Sequence, residues 1–363
     1  MVDFVVREPP GTSPQLQLFL AGDGPVLGDW SARGVALARW DDGSHRVSVD
    51  LPVGFRGRFL VTGGRWRLVE ADAQGHERLP RQLYVTGPHT WEVHVPSWGR
   101  ASVCYHPDFA SAFLPHTHTL SVWLPPGYHH NPAQRFPVLY LNDGQNLFDP
   151  ATAFAGNAWF ADDVAEREIR AGRVQPLLLV GVANTPDRLR EYGPRRCGRN
   201  RSDDLSRQFG RFLVEEVKPF IDATYRTRPA PEHTGIGGSS MGGLIALHLC
   251  KWYPTVFGRC AALSPALWWD REYFLRTLNV APQWLRRCRI WADMGTREGT
   301  TEAGMAAMVR RVQRLGQLLA RHGLKPDEHF HVEVIPGGQH NEAAWSARLD
   351  RVLRFLFGTQ SPG

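Results

Sequence analysis

The sequence predicts two kinds of structure in succession: a small all-β sandwich, then an α/β domain on a doubly wound, mostly parallel sheet. Three observations carry this expectation. Between about Leu16 and Val95, short β-type runs are separated by turns and no helical periodicity is present. Beyond Thr117, buried-type apolar runs alternate with amphipathic helical patterns, as in a parallel sheet covered on both faces. The Gly-crowded segment Thr234–Leu247 reads as a short strand, a corner and the start of an apolar helix.

With 363 residues and 42% hydrophobic content, the chain can bury a sizeable core in two domains or one large one. The net charge of +6 comes almost entirely from arginine, because only Lys218, Lys251 and Lys325 are lysines. That excess is spread along the chain, which suits solvated arginines and argues against a nucleic-acid partner. The segment Met1–Pro14 carries Asp3 and Glu8 and lacks the apolar core of a secretory signal. No run approaches the ~20 apolar residues of a membrane span, so a soluble, cytoplasmic protein with no membrane partner is expected. The five cysteines, Cys104, Cys197, Cys250, Cys260 and Cys288, are odd in number, far apart and lack C-x-x-C spacing, as expected of reduced structural thiols.

Residues 1–97 are assigned to the sandwich, with strands expected at Leu16–Leu20, His45–Leu51, Arg58–Thr62, Trp66–Glu70 and Thr90–Val95. Asp42-Gly43 and Gly63-Gly64 supply turns between them. Phe19-Leu20-Ala21-Gly22, Val26–Trp30 and Gly54–Phe59 resemble segments of starch-binding-type carbohydrate modules. The match departs at Leu60, where such modules carry a lysine that helps hold sugar. Trp30 and Trp66 are expected in the sandwich core in preference to an exposed sugar platform.

Residues 98–114 read as a linker and 115–360 as the α/β domain. An edge strand is expected at Thr117–Leu124, followed by strands at Val138–Leu141, Leu177–Val182, Thr234–Gly237, Cys260–Leu263, Arg289–Met294 and Phe330–Ile335. Helices are expected over Ser202–Val217, stopping at Pro219, and over Thr301–His322, stopping at Gly323. Ligands of such sheets bind beyond the carboxyl ends of the strands.

The candidate chemistry lies at those ends. In Gly238-x-Ser240-x-Gly242 the small residues let strand and helix approach closely, so that Ser240 can sit on a strained turn with its hydroxyl exposed. A serine hydroxyl needs a base, and His340 in Pro336-Gly337-Gly338-Gln339-His340 follows the last strand. The imidazole needs an acid, and both Asp293 at a strand end and Glu298 a few residues beyond are candidates. Glu298 is favoured because it can reach back over the sheet edge, while Asp293 can brace the loop. For a developing oxyanion, Met241 N–H follows from the elbow geometry, and Gln145 N–H from the loop after Val138–Leu141, where Gly144 is expected to permit a tight turn. No H-E-x-x-H or comparable spacing suggests a metal, and no cofactor is expected.

Taken together, Pro137–Phe148, the elbow, Leu263–Trp269, Asp293–Glu298 and Gly337–Trp345 resemble the "putative esterase" group of α/β-hydrolases. That group includes enterochelin, feruloyl and acetylxylan esterases, S-formylglutathione hydrolases and mycolyltransferases. The resemblance covers roughly residues 115 to 357. It implies Ser240 as nucleophile, His340 as base, an acid at Glu298, and Gln145 and Met241 as oxyanion donors. The expected partner is a small-molecule ester. Trp268 and Trp269 follow a strand and are candidates for stacking on an aromatic acyl or catechol group. Arg188, Arg190, Arg195, Arg196, Arg199 and Arg201 fall in a long loop that could meet an anionic ligand such as a ferric catecholate siderophore. The competing expectations are a feruloyl or acetyl sugar-ester hydrolase, an acyltransferase, and a non-catalytic binding protein on a hydrolase scaffold.

Overall fold

In the first 100 residues the apolar residues alternate with a period of two, and two four-stranded sheets result. One has the spatial order Ala38–Arg39, His45–Val49, Val2–Arg7, His89–His94; the other has Val35–Ala36, Phe19–Gly22, Arg56–Thr62, Arg81–Tyr84. Val2, Phe4 and Val6 from one sheet and Leu20, Phe59 and Val61 from the other share a core. The Phe4 and Phe59 rings meet edge to face at 5.2 Å. The strand Val2–Arg7 went unread in the sequence although its alternation is regular. Trp66–Leu68, expected in a strand, forms a 3-10 turn. This computed structural model describes the chain except residues 14, 74, 76, 77, 100–102, 130, 195–203, 281 and 360–363.

The first compact unit is not the sequential 1–97 sandwich expected: it comprises residues 1–102 together with 125–133 and 162–175. The reason is a second apolar cluster, in which Trp30, Leu60, Trp66 and Val69 are buried with Ala171 packed against them. Ala171 directly follows helix α1 (Ala161–Arg170), and the Arg170 guanidinium lies 4.6 Å from the Trp66 ring centre. Trp30 and Trp66 are therefore core residues, 1% and 5% exposed, and neither offers a face to a sugar.

The second unit comprises residues 103–124, 134–161 and 176–363. Its sheet has eight strands: β1 (Val103–Phe109), β2 (His118–Trp123), β3 (Val138–Asn142), β4 (Leu178–Val182), β5 (Thr234–Ser239), β6 (Arg259–Leu263), β7 (Arg289–Arg297) and β8 (Phe330–Gln339). Their spatial order is 1-2-4-3-5-6-7-8. β1 pairs antiparallel with β2, β2 antiparallel with β4, and all later pairs are parallel. The sheet thus starts inside the expected linker, and β2 is not the edge. Pro107 and the left-handed Asp108 (φ 52°) make a bulge between His106 and Phe109, so the sequence of β1 reads as a breaker. Proline is tolerated there because β1 is the true edge.

β3 to β6 are buried along nearly their whole length, which is why they read as unbroken apolar runs. Between β5 and β6 lies helix α2 (Met241–Trp252); α3 (Glu302–Arg321) follows β7, and α4 (Glu342–Ser346) and α5 (Leu349–Phe357) follow β8. Thr301 caps α3 by accepting a hydrogen bond from Gly304 N–H at 3.1 Å. The helix expected to stop at Pro219 instead runs from Ser206 to Thr224. Its middle turn, Phe212–Val217, is π-helical, and Pro219 sits in the first turn of the segment that follows, where its missing N–H is tolerated.

In the first unit, burial and then the neighbouring Asp163 charge push Asp162 up to about pKa 7, and its Oδ1 has no hydrogen-bond partner. The folded chain therefore retains a proton that the unfolded chain releases near the ordinary aspartate range. The stabilisation from that proton is complete at low pH and is lost as pH rises from about 4 to 7. Thermal denaturation of Asp162→Asn should show a shallower fall in the melting temperature between pH 5 and 8 than wild type. Parallel curves would mean that Asp162 is ionised in the folded chain.

Candidate active site

Ser240 joins β5 to α2 with φ 55° and ψ −119°, a conformation unfavourable for a residue with a side chain. The corner is held on both sides: Ser240 N–H donates to Leu263 O at 3.0 Å and Ala266 N–H donates to Ser240 O at 3.0 Å. The next residue, Met241, opens α2, so its N–H has no acceptor within the helix and lies at the positive end of the helix dipole.

β8 runs on to Gln339, four residues beyond the expected Ile335, so His340 stands directly at a strand end. Its Nε2 is 2.9 Å from Ser240 Oγ and its Nδ1 is 2.7 Å from Glu298 Oε2. An ionised carboxylate only accepts, which places the imidazole proton on Nδ1 and leaves Nε2 free to accept from the hydroxyl. Three residues distant by 100 and 42 positions are thereby joined in one line of hydrogen bonds.

Glu298, 3% exposed, is held through its other oxygen. Oε1 accepts from Ser264 Oγ at 2.6 Å and from Gly295 N–H at 2.7 Å. A Cβ on Gly295 would stand 2.6 Å from that oxygen and 2.3 Å from Gly338 O, so only glycine lets β7, β8 and the carboxylate meet here.

Ser264 also accepts from Trp345 Nε1 at 3.0 Å and from Arg348 Nη2 at 2.5 Å. Arg348 is 1% exposed and its guanidinium pairs with Asp293 at 2.9 Å. Asp293 further accepts from Ser264 N–H at 3.0 Å and from Trp291 Nε1 at 2.8 Å. Burial pushes the Asp293 carboxyl up, opposed by the Arg348 charge and these donors. Asp293 thus bonds to Arg348, Ser264 and Trp291, and the carboxylate bonded to His340 is Glu298. Sequence inspection missed Arg348; its only signal was a basic residue in an otherwise apolar helical face.

Beside Ser240 lies a cavity of about 340 Å³, lined by Gln145, Asn146, Phe154, His340, Glu342 and Trp345 among others. Gln145 lies in a 3-10 turn, Gly144–Asn146, and its side chain accepts from Asn184 N–H at 3.1 Å. The left-handed residue of this turn is Asp143 (φ 58°), not Gly144. Gly144 is needed for a different reason: a Cβ there would come within 2.5 Å of Val182 N. Arg188 lines the same cavity but is clamped by Asp143, with Nε to Oδ1 at 2.6 Å and Nη2 to Oδ2 at 2.8 Å. Burial lowers and the Asp143 contact raises the Arg188 pKa, with the net shift upward. Burial, then the Asp143 charge, raises Glu342.

Other candidates are not brought to this cavity. Neither Trp268 nor Trp269 lines it; Trp268 is exposed and Trp269 donates Nε1 to Pro194 O at 3.1 Å. Arg190 pairs with Asp187 at 3.0 Å. Arg195, Arg196, Arg199 and Arg201, with Cys197, fall outside the described residues. Among the described residues no group of His, Cys, Asp or Glu could hold a metal ion, and no helix is long and apolar enough to cross a membrane.

Comparison with known proteins places these elements in a wider set. The family model described as "Putative esterase" matches residues 111–356. A curated relative, the iron(III) salmochelin esterase of Escherichia coli O6:H1, is 27% identical over 243 residues, covering 62% of this chain and 52% of its own. A Bacillus subtilis (strain 168) protein described as uncharacterized is 22% identical over 249 residues, covering 66% of this chain and 92% of its own. Among solved structures, a ferulic acid esterase superposes with a TM-score of 0.55 at 19% identity, covering 71% of this chain and 98% of that one. The enterobactin esterase of Shigella flexneri superposes with a TM-score of 0.53 at 16% identity, covering 98% of this chain and 92% of that one.

Removing Arg348 would leave Asp293 buried without its counter-charge and Ser264 with only the Trp345 donor. Arg348→Met is expected to lower stability by about 3–5 kcal/mol, read as a reduced midpoint in urea unfolding. Ser264→Ala, which removes one donor to Glu298, should leave a folded protein with ester turnover reduced about tenfold or more through a misplaced carboxylate. Unchanged turnover in that variant would show that Gly295 N–H alone positions Glu298.

Proposed function

The chain belongs to the "Putative esterase" family of α/β-hydrolases and is a carboxylic ester hydrolase; on that premise we propose that it works as a serine esterase through Ser240, His340 and Glu298. The observation that carries this reading is the unbroken hydrogen-bond line from Ser240 Oγ through both imidazole nitrogens to a buried carboxylate.

In the proposed reaction, Ser240 Oγ attacks the ester carbonyl carbon while His340 Nε2 takes the hydroxyl proton. Glu298 holds the tautomer and stabilises the imidazolium that forms, remaining ionised itself. The carbonyl oxygen, now negative, is met by the N–H groups of Met241 and Gln145, both in first turns that leave them without acceptors in their own helices. Collapse of the tetrahedral intermediate breaks the ester C–O bond, and the proton passes from His340 to the departing alcohol. A water molecule then gives its proton to His340 and its oxygen to the acyl carbon, and Ser240 leaves reprotonated. This full set of parts favours an enzyme over a binding protein on the same scaffold.

For the substrate we favour a siderophore-type ester of a catechol-bearing hydroxyacid. The two-unit layout supports this, since the alignment with the Shigella enterobactin esterase extends over 98% of the chain whereas that with the ferulic acid esterase covers 71%. The 27% identical salmochelin esterase points the same way. Phe154, 71% exposed at the cavity, offers an aromatic face to a catechol ring in the place first assigned to Trp268 and Trp269.

Ser240→Ala and His340→Ala should each lose at least about 10³-fold in kcat on p-nitrophenyl acetate, and Ser240→Ala should also lose labelling by a fluorophosphonate. Glu298→Gln should cost more than Asp293→Asn in proteins shown to be folded; the opposite ranking would move the acid to Asp293. In a panel of enterobactin, methyl ferulate and acetylated xylo-oligosaccharides, kcat/KM should be at least tenfold higher on enterobactin. Preference for either other ester would reassign the substrate, and transfer of the acyl group to added alcohol in place of water would make the protein an acyltransferase.

A further inference from the structure

The sheet has a second charged concavity, at the edge opposite Ser240. Arg259 and Arg289 are the first residues of the parallel neighbours β6 and β7, so both lie at the amino-terminal edge, whereas Ser240 follows the carboxyl end of β5. A five-residue strand such as β6 sets the two edges about 16 Å apart. With Arg286, Arg287 and Cys288, these arginines line a cavity of about 220 Å³.

Four guanidiniums at one cavity repel each other, and ordinarily carboxylates interleave with them. Here the rim carboxylates are spent elsewhere or stand off: Glu328 pairs with Lys325 at 3.1 Å. Among the described residues no ion pair within 4.0 Å joins any of the four arginines to a carboxylate, although Glu232 lies near enough to act on Arg259 at longer range. Two of the four are also fixed in place. Arg259 donates Nε to Glu232 O at 2.6 Å and packs its guanidinium over Phe357 at 4.9 Å from the ring centre. Arg289 packs over Phe355 at 4.3 Å, with its Nε buried and without a hydrogen-bond partner. Burial and then the Arg289 charge lower Arg259 to about 10, with Glu232 only partly opposing them.

We propose that this cavity is a binding site for a small phosphate-bearing anion, separate from the ester site. The preset arginines would meet phosphate oxygens with charge-assisted, fork-shaped hydrogen bonds, the mode in which arginine outperforms lysine. At about 220 Å³ the cavity has room for a diphosphate-sized group.

The test is isothermal titration calorimetry of the full chain with pyrophosphate, at low ionic strength and against a sodium chloride control of matched ionic strength. One saturable site is expected that chloride does not reproduce. Its affinity should fall at least tenfold in Arg289→Gln and in Arg286→Gln/Arg287→Gln; the second variant changes only exposed rim residues and keeps the test open if the first misfolds. Hydrolysis of p-nitrophenyl acetate should be unchanged in the rim variant. A parallel titration with ADP distinguishes the source of the phosphate: tighter binding than pyrophosphate indicates a nucleotide, equal binding a bare diphosphate. Absence of a saturable site, or equal affinity in wild type and the rim variant, overturns the proposal.

Discussion

The buried guanidinium of Arg348 is the constraint on which the candidate site around Ser240 rests. A cation this deep needs a counter-charge, and Asp293, expected at a strand end but lying in the middle of β7, stands 2.9 Å from it. The same nitrogen reaches Ser264 beyond β6, and Ser264 in turn holds one oxygen of Glu298. The residue that caps the last helix, the middle of β7, the residue beyond β6 and the carboxylate facing His340 thus share one network. If its charges were unmatched, Glu298 would gain freedom at the point where His340 needs a fixed acceptor.

Two carboxylates five residues apart therefore have different roles set by their surroundings. Asp293 spends its oxygens on Arg348, Ser264 N–H and Trp291. Glu298 commits one oxygen to the network and keeps the other for His340. Burial raises the Asp293 carboxyl above the ordinary aspartate range, and the Arg348 charge opposes that rise without cancelling it. Positioning is built on strands and backbone amides, with rigidity of the kind that electrostatic catalysis requires.

Charge is handled differently elsewhere in the second unit. At the carboxyl edge of the sheet Arg188 is locked to Asp143, so the cavity beside Ser240 presents little free positive charge from described residues. At the amino edge the arginines of β6 and β7 lack such partners. A sequence whose basic residues look evenly spread is thus strongly uneven in space. This contrast cannot be read from net charge, since it depends on which carboxylate each guanidinium reaches.

The local sequence by itself determined much of this protein. The central strands announced themselves as apolar runs because both their faces are covered, and Gly238-x-Ser240-x-Gly242 marked the corner because only small residues allow strand and helix to close so tightly. His340 and Glu298 were legible as residues just past strand ends. What the tertiary structure alone decided involves partners far apart in the chain. That α1 belongs with the Trp30 and Trp66 cluster, that β1 forms around Pro107 at an edge, and that Arg348 sits behind Glu298 leave no periodic trace. The same holds for Trp268 and Trp269: following a strand put them past its carboxyl end, but Trp268 is exposed, Trp269 bonds to Pro194 O, and Phe154 lines the cavity in their place. Periodicity reports which face of an element is covered, whereas the identity of the covering residue is settled only when distant segments meet.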